Sequence, residues 1–125
     1  MMFENDFISI NIAVVTISDT RILNNDKSGD TLVNRITKFG HKVTVREIVK
    51  DDFDKISFLF KKLLKNKDID VIISTGGTGL TGKDITPEVM ETFFEKTIDG
   101  FGEMFRWLSF KKISTSALQS RALAG

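Results

Sequence analysis

The run Thr75-Gly76-Gly77-Thr78-Gly79-Leu80-Thr81-Gly82 concentrates the residues best able to hold an anion. Consecutive glycines let backbone N–H groups approach a phosphate with no side chain in the way, and threonine hydroxyls add donors. A tight turn without a ligand is the simpler reading, although two glycines would be enough for it. From Gly77 to Asp84 the run also fits the phosphate-loop pattern of nucleotide hydrolases, except at its last position. That position needs Ser or Thr to bind Mg²⁺, in a helix that begins at the preceding lysine. Asp84 stands there instead, and the helix start comes later, at Thr86-Pro87, which argues against such a hydrolase.

Asp51 and Asp84 are the candidate acidic pair. A carboxylate beside a phosphate cradle repels its ligand unless a cation lies between them. Two aspartates therefore suggest Mg²⁺ held jointly with a nucleotide's phosphates. The competing reading makes each a solvated loop charge or a helix cap, and Asp52 fits the cap of the helix that follows.

These residues need a scaffold that gathers them. Ile10 to Ser18 is a nearly continuous apolar run rich in β-branched residues, which reads as a strand buried on both faces. Asp30 is placed to cap a helix over Thr31 to Phe39, which Gly40 ends. Lys42 to Val49 reads as a second strand, Asp54 to Lys65 as a helix, and Asp70 to Thr75 as a third buried strand. Thr86 as cap with Pro87 at the first helical position opens a helix to about Glu95. Phe101 to Phe110 and Ser116 to Ala124 read as two further helical segments. Alternating strands and helices predict a parallel sheet with right-handed crossovers. In such sheets ligands sit beyond the carboxyl ends of the strands, where Ser18, Asp19 and Arg21, then Asp51 and Asp52, then Thr75 to Gly79 are delivered.

The 125 residues fit one domain, with no repeat or linker. With 18 basic and 17 acidic residues, no single-signed field is available to hold nucleic acid or an anionic membrane. The absence of cysteine excludes disulfides, thiolate metal sites and cysteine catalysis, and the single histidine, His41, leaves no ordinary triad. No apolar run spans a membrane and no secretory signal is visible, so a soluble, cytoplasmic domain is expected. His41 follows a helix-ending glycine and fits a turn role. The 11 phenylalanines are expected mostly in the core. Lys61, Lys62, Lys65 and Lys67 form a solvated helix face, and Trp107 suits a subunit contact. Arg106 and Arg121 suit either phosphate oxygens or interface ion pairs.

Several segments in fixed order carry a resemblance. They are Thr16 to Arg21, Asp26-Lys27-Ser28-Gly29, Ile48 to Asp51, Thr75 to Gly79, Asp84 to Glu88, Gly100 to Glu103, Arg106 to Phe110, and Thr115 to Arg121. Together the chain resembles the MogA/MoaB family of molybdenum cofactor biosynthesis proteins, nearer the MoaB branch, from about residue 10 onward. The resemblance implies a three-layer α/β/α fold with a mostly parallel central sheet that binds molybdopterin, a pterin with a dithiolene and a terminal phosphate. It further implies adenylylation of that phosphate by Mg-ATP with release of pyrophosphate. Carried over by motif, Asp51 and Asp84 take the acidic active-site positions, with Mg²⁺ assigned to Asp84. Gly76, Gly77, Thr78 and Gly79 would hold the phosphate. Ser18, Asp19, Ser28, Gly29, Glu88, Glu103, Ser109 and Ser116 are further pocket candidates.

The resemblance also implies a homotrimer or homohexamer and, as partners, other proteins of the molybdenum cofactor pathway. Members of the family continue with another apolar strand, a Pro-Gly loop and a last helix. On that expectation the domain over 1–125 is truncated at its C-terminus. Two other functions compete with the adenylyltransferase: a non-catalytic molybdopterin-binding or carrier protein, which shares the glycine loop, and a generic nucleotide-binding domain, which predicts ATP binding without pterin.

Overall fold

The structure is a computed structural model, and it describes residues 6–78, 80, 82 and 84–125. Three parallel strands form the sheet: β1 (Asn11–Ile17), β2 (Lys42–Val49) and β3 (Val71–Thr75), in the order β2-β1-β3. The central β1 is buried from Ile12 to Ile17, as its unbroken apolar run predicts. The third strand departs from expectation. It lies at an edge of the described sheet, Val71 is 39% exposed, and Ile72 and Ile73 are half-buried.

Period-two alternation along β1 divides the core. Ala13, Val15 and Ile17 face α2 (Phe53–Lys65), through Ile56, Phe60 and Leu63, and Val89 of α3 (Thr86–Glu91). Ile12 and Val14 face α1 (Lys27–Lys38), through Leu32, Val33 and Ile36. The result is helix, sheet, helix in three layers, the expected α/β architecture. The chain steps from β1 to β2 in one direction and from β2 across β1 to β3 in the other. Two crossovers of one hand then put α1 and α2 on opposite faces, as observed.

Local signals account for most boundaries. Asp52 caps α2 by accepting from the Lys55 amide at 3.0 Å, and Gly40, at φ +88°, follows the end of α1. The cap of α1 is Asp26, not Asp30, so the helix begins four residues before the expected Thr31. Thr86 lies within α3 and not at its cap, and α3 ends at Glu91, short of Glu95. The next helix, α4 (Asp99–Ile113), is longer than predicted. A 3-10 turn over Ser114–Gln119 follows it, and Ser120 is extended, where a helix over Ser116 to Ala124 was expected.

The phenylalanines also differ from expectation. Phe60 is buried, whereas Phe7, Phe39, Phe53, Phe58, Phe101, Phe105 and Phe110 are exposed. On α4, Phe101, Met104, Phe105 and Leu108 share one face by their spacing, yet that face is exposed in the described chain, as are Trp107 and Phe110 beside it. No helix among the described residues is long and apolar enough to cross a membrane.

Candidate functional site

The strand order reverses at β1, so the crevice between β1 and β3 opens at their carboxyl ends. There Gly76 and Gly77 take φ +99° and +68°, which glycine adopts without strain. A side chain at Gly76 would overlap the Ile17 carbonyl oxygen, and one at Gly77 would overlap the Thr86 hydroxyl. These glycines thus let the loop lie flat against the end of β1 and the start of α3. The loop's carbonyls are engaged inward: Gly77 accepts from the Thr86 amide at 3.1 Å and Thr78 from the Arg121 amide at 3.2 Å. Among the described residues, the N–H groups of Gly77 and Thr78 donate to no partner. A turn whose acceptors are occupied and whose donors are left over is electrostatically suited to an anion. Gly79 lies outside the described residues.

The ends of β1 and β2 meet beside this loop. Ser18 donates its amide to Val49 at 2.9 Å, and its hydroxyl accepts from the amides of Thr20 and Arg21 at 3.3 and 3.2 Å. Asp19 accepts from the Asp51 amide at 3.1 Å. One bond therefore ties together two expected site residues, at the tips of adjacent strands. Asp84 is half-buried at the foot of α3, and its carbonyl oxygen accepts from the Arg121 guanidinium. Within the chain, Arg106 and Arg121 bond to the loop and the segment after α4. Arg106 donates to the carbonyls of Ser120 and Ala122 at 3.2 and 3.1 Å, and Arg121 pairs with Glu88. Hydrogen bonding to Arg121 holds the Glu88 carboxyl below its ordinary pKa.

Other expected pocket residues are placed differently. Gly29 is buried against Asp26, where any side chain would overlap the Asp26 carboxylate, and Ser28 is half-buried beside it in the first turn of α1. Glu103 and Ser109 lie on α4 and Ser116 on the 3-10 turn; no hydrogen bond among the described residues joins them to the glycine loop.

Asp26 itself was missed by the sequence reading. It is fully buried, accepts from the Thr16 hydroxyl at 2.7 Å and the Gly29 amide at 3.1 Å, and pairs with Arg46 at 3.3 Å. Burial pushes its carboxyl up. The Thr16 hydroxyl, the Gly29 amide and Arg46 outweigh that push and leave it below the ordinary value. The available signal was an Asp-x-x-Gly spacing, in which the missing Cβ at the third helical position lets a capping carboxylate approach.

A family profile described as "Probable molybdopterin binding domain" matches residues 13–124. Molybdenum cofactor biosynthesis protein B of Bacillus cereus is 45% identical over 113 residues, covering 90% of this chain and 67% of that protein. The protein of the same name from Escherichia coli K12 is 42% identical over 122 residues, covering 98% of this chain and 72% of that one. A crystal structure of Molybdenum cofactor biosynthesis protein B superposes with a TM-score of 0.89 at 43% identity, over 93% of this chain and 73% of the other. The tungsten cofactor synthesizing protein MoaB from Pyrococcus furiosus superposes with a TM-score of 0.82 at 32% identity, over 94% and 72%. A profile match over almost the whole chain, relatives above 40% identity and the shared fold agree: the chain belongs to the molybdopterin-binding family of molybdenum cofactor biosynthesis proteins, on its MoaB side.

Proposed function

We propose that this protein binds molybdopterin through its terminal phosphate and transfers an adenylyl group to it from Mg-ATP. The observation that carries the reading is the glycine turn after β3, whose Gly77 and Thr78 carbonyls are tied down while their N–H groups have no partner among the described residues, set beside the Asp19–Asp51 pair. In the reaction a terminal phosphate oxygen of the pterin attacks the α-phosphorus of ATP. The bond from that phosphorus to the bridging oxygen breaks, and pyrophosphate leaves with the electron pair. Both reactants are anions, so the protein's task is positioning and charge compensation. The loop amides of Gly77 and Thr78 would hold the pterin phosphate together with Gly76, and Gly79 is proposed for the same role from its place in the motif. Asp51 and Asp84 offer hard carboxylate oxygens of the kind Mg²⁺ takes alongside a nucleotide's phosphates, and Asp84 is the residue assigned to the ion. Ser18 and Asp19 would fix the position of the Asp51 loop.

A homotrimer or homohexamer, contact with other proteins of the molybdenum cofactor pathway and a cytoplasmic location belong to the same proposal. The test is to supply molybdopterin, Mg²⁺ and ATP together and follow pyrophosphate. Release that requires the pterin supports the adenylyltransferase. Pterin binding by calorimetry without pyrophosphate release would make this a carrier, and ATP binding without pterin binding would make it a generic nucleotide-binding domain.

A further inference from the structure

Arg121 reaches the candidate site from the far end of the chain. Its amide N–H donates to the Thr78 carbonyl at 3.2 Å, and its guanidinium donates to the carbonyl of Asp84 and to the carboxylate of Glu88. Thr78 and Asp84 stand at the two feet of the loop that leaves β3 and enters α3. One residue therefore staples both feet.

The staple is itself held from behind. Ser120 is extended, and in extended backbone the carbonyls of alternate residues point to one side while the intervening N–H points to the other. Arg106 on α4 takes the Ser120 and Ala122 carbonyls from one side, leaving the Arg121 amide directed at Thr78. Gly102 of α4 makes the approach feasible: a Cβ there would stand 2.7 Å from the Ala122 carbonyl oxygen. A planar guanidinium can hold a carbonyl and a carboxylate at once through two nitrogens in fixed geometry, which an ammonium cannot reproduce.

We propose that Arg121 is a positioning residue: it sets the backbone of Asp84 relative to the glycine turn, with Glu88 orienting its guanidinium. The catalytic consequence rests on the adenylyltransferase reading, whereas the positioning does not.

The test uses Arg121→Met and Arg121→Lys in the full chain, with two independent readouts. By amide hydrogen exchange, Arg121→Met is expected to speed exchange by roughly tenfold or more at the two amides that tie the loop down, that of Thr86 on the Gly77 carbonyl and that of position 121 on the Thr78 carbonyl, with β1 still protected. In turnover it is expected to lower kcat by roughly 10- to 100-fold, the scale of an ångström of misplacement, with the KM for pterin within about twofold. Arg121→Lys should recover part of both. Glu88→Gln, which keeps an acceptor oxygen for Arg121 but removes the orienting charge, should shift both readouts in the same direction by a smaller factor, and it stands in if Arg121→Met loses protection throughout the fold. Unchanged exchange at those two amides in Arg121→Met, or in Glu88→Gln where that variant stands in, would overturn the proposal. So would a loss confined to KM, which would make Arg121 a phosphate ligand. If the wild type shows no turnover, the adenylyltransferase reading fails and the exchange measurement still decides the positioning.

Discussion

Asp26 is fully buried, and each of its bonds joins it to a different part of the fold: Thr16 on β1, Gly29 in α1 and Arg46 on β2. Asp26→Ala leaves the buried Thr16 hydroxyl without its acceptor and Arg46 with Asp30 as its one carboxylate partner among the described residues, and should cost about 2–4 kcal/mol in urea unfolding. Its depressed carboxyl pKa fixes the sign of the pH dependence. The folded value lies below the unfolded one, so the stabilisation is complete above the ordinary carboxylate pKa of about 3.9. It is lost as pH falls through the folded value, and unfolding curves of Asp26→Asn should lack that part of the acid transition. For Asp84 the proposed role is to hold Mg²⁺, so Asp84→Asn should cut adenylylation by on the order of a hundredfold. Gly77→Ala should lose about 1–3 kcal/mol, because its side chain would meet Thr86 and oppose a positive φ. That the glycine run would turn the chain after β3 was legible from composition alone. That its glycines are needed against Ile17 and Thr86 was not, because both contacts come from elsewhere in the chain.

Among the elements, α4 and the segment after it show where local patterning stops being informative. The strands and α2 follow period and caps closely, since a buried strand or a one-sided helix writes its environment into its residues. The start of α1 was misjudged because Asp26 and Asp30 both satisfy a cap pattern, and the choice is made by the Thr16 hydroxyl on β1, which donates to Asp26. Residues 120–122 were read as helical, yet their conformation is set by Arg106 and the glycine loop, at long range. Two glycines of α4 give a paired prediction for thermal unfolding. At Gly102 a Cβ would crowd the Ala122 carbonyl and Arg106, whereas at Gly100 it would meet nothing within 4 Å. Gly102→Ala should therefore destabilise by about 1–3 kcal/mol, and Gly100→Ala should stabilise by up to about 1 kcal/mol.

In the whole molecule, the sheet order and the placement of helices on its two faces put three loops at one end. That convergence was foreseeable, because a parallel sheet delivers every strand's carboxyl end to the same edge. Glu103, Ser109 and Ser116 are joined to that edge by no bond among the described residues, so their pocket role rests on family resemblance alone. On α4, Phe101, Phe105, Trp107 and Phe110 are each between 44% and 55% exposed, a concentration of apolar surface consistent with the proposed oligomer. The most direct test of the central claim is to incubate the protein with molybdopterin, Mg²⁺ and ATP labelled at its α-phosphate. Label appearing on the pterin in the wild type, and reduced on the order of a hundredfold in Asp84→Asn, is the expected result. Pterin that binds to the glycine turn but never acquires label would contradict it.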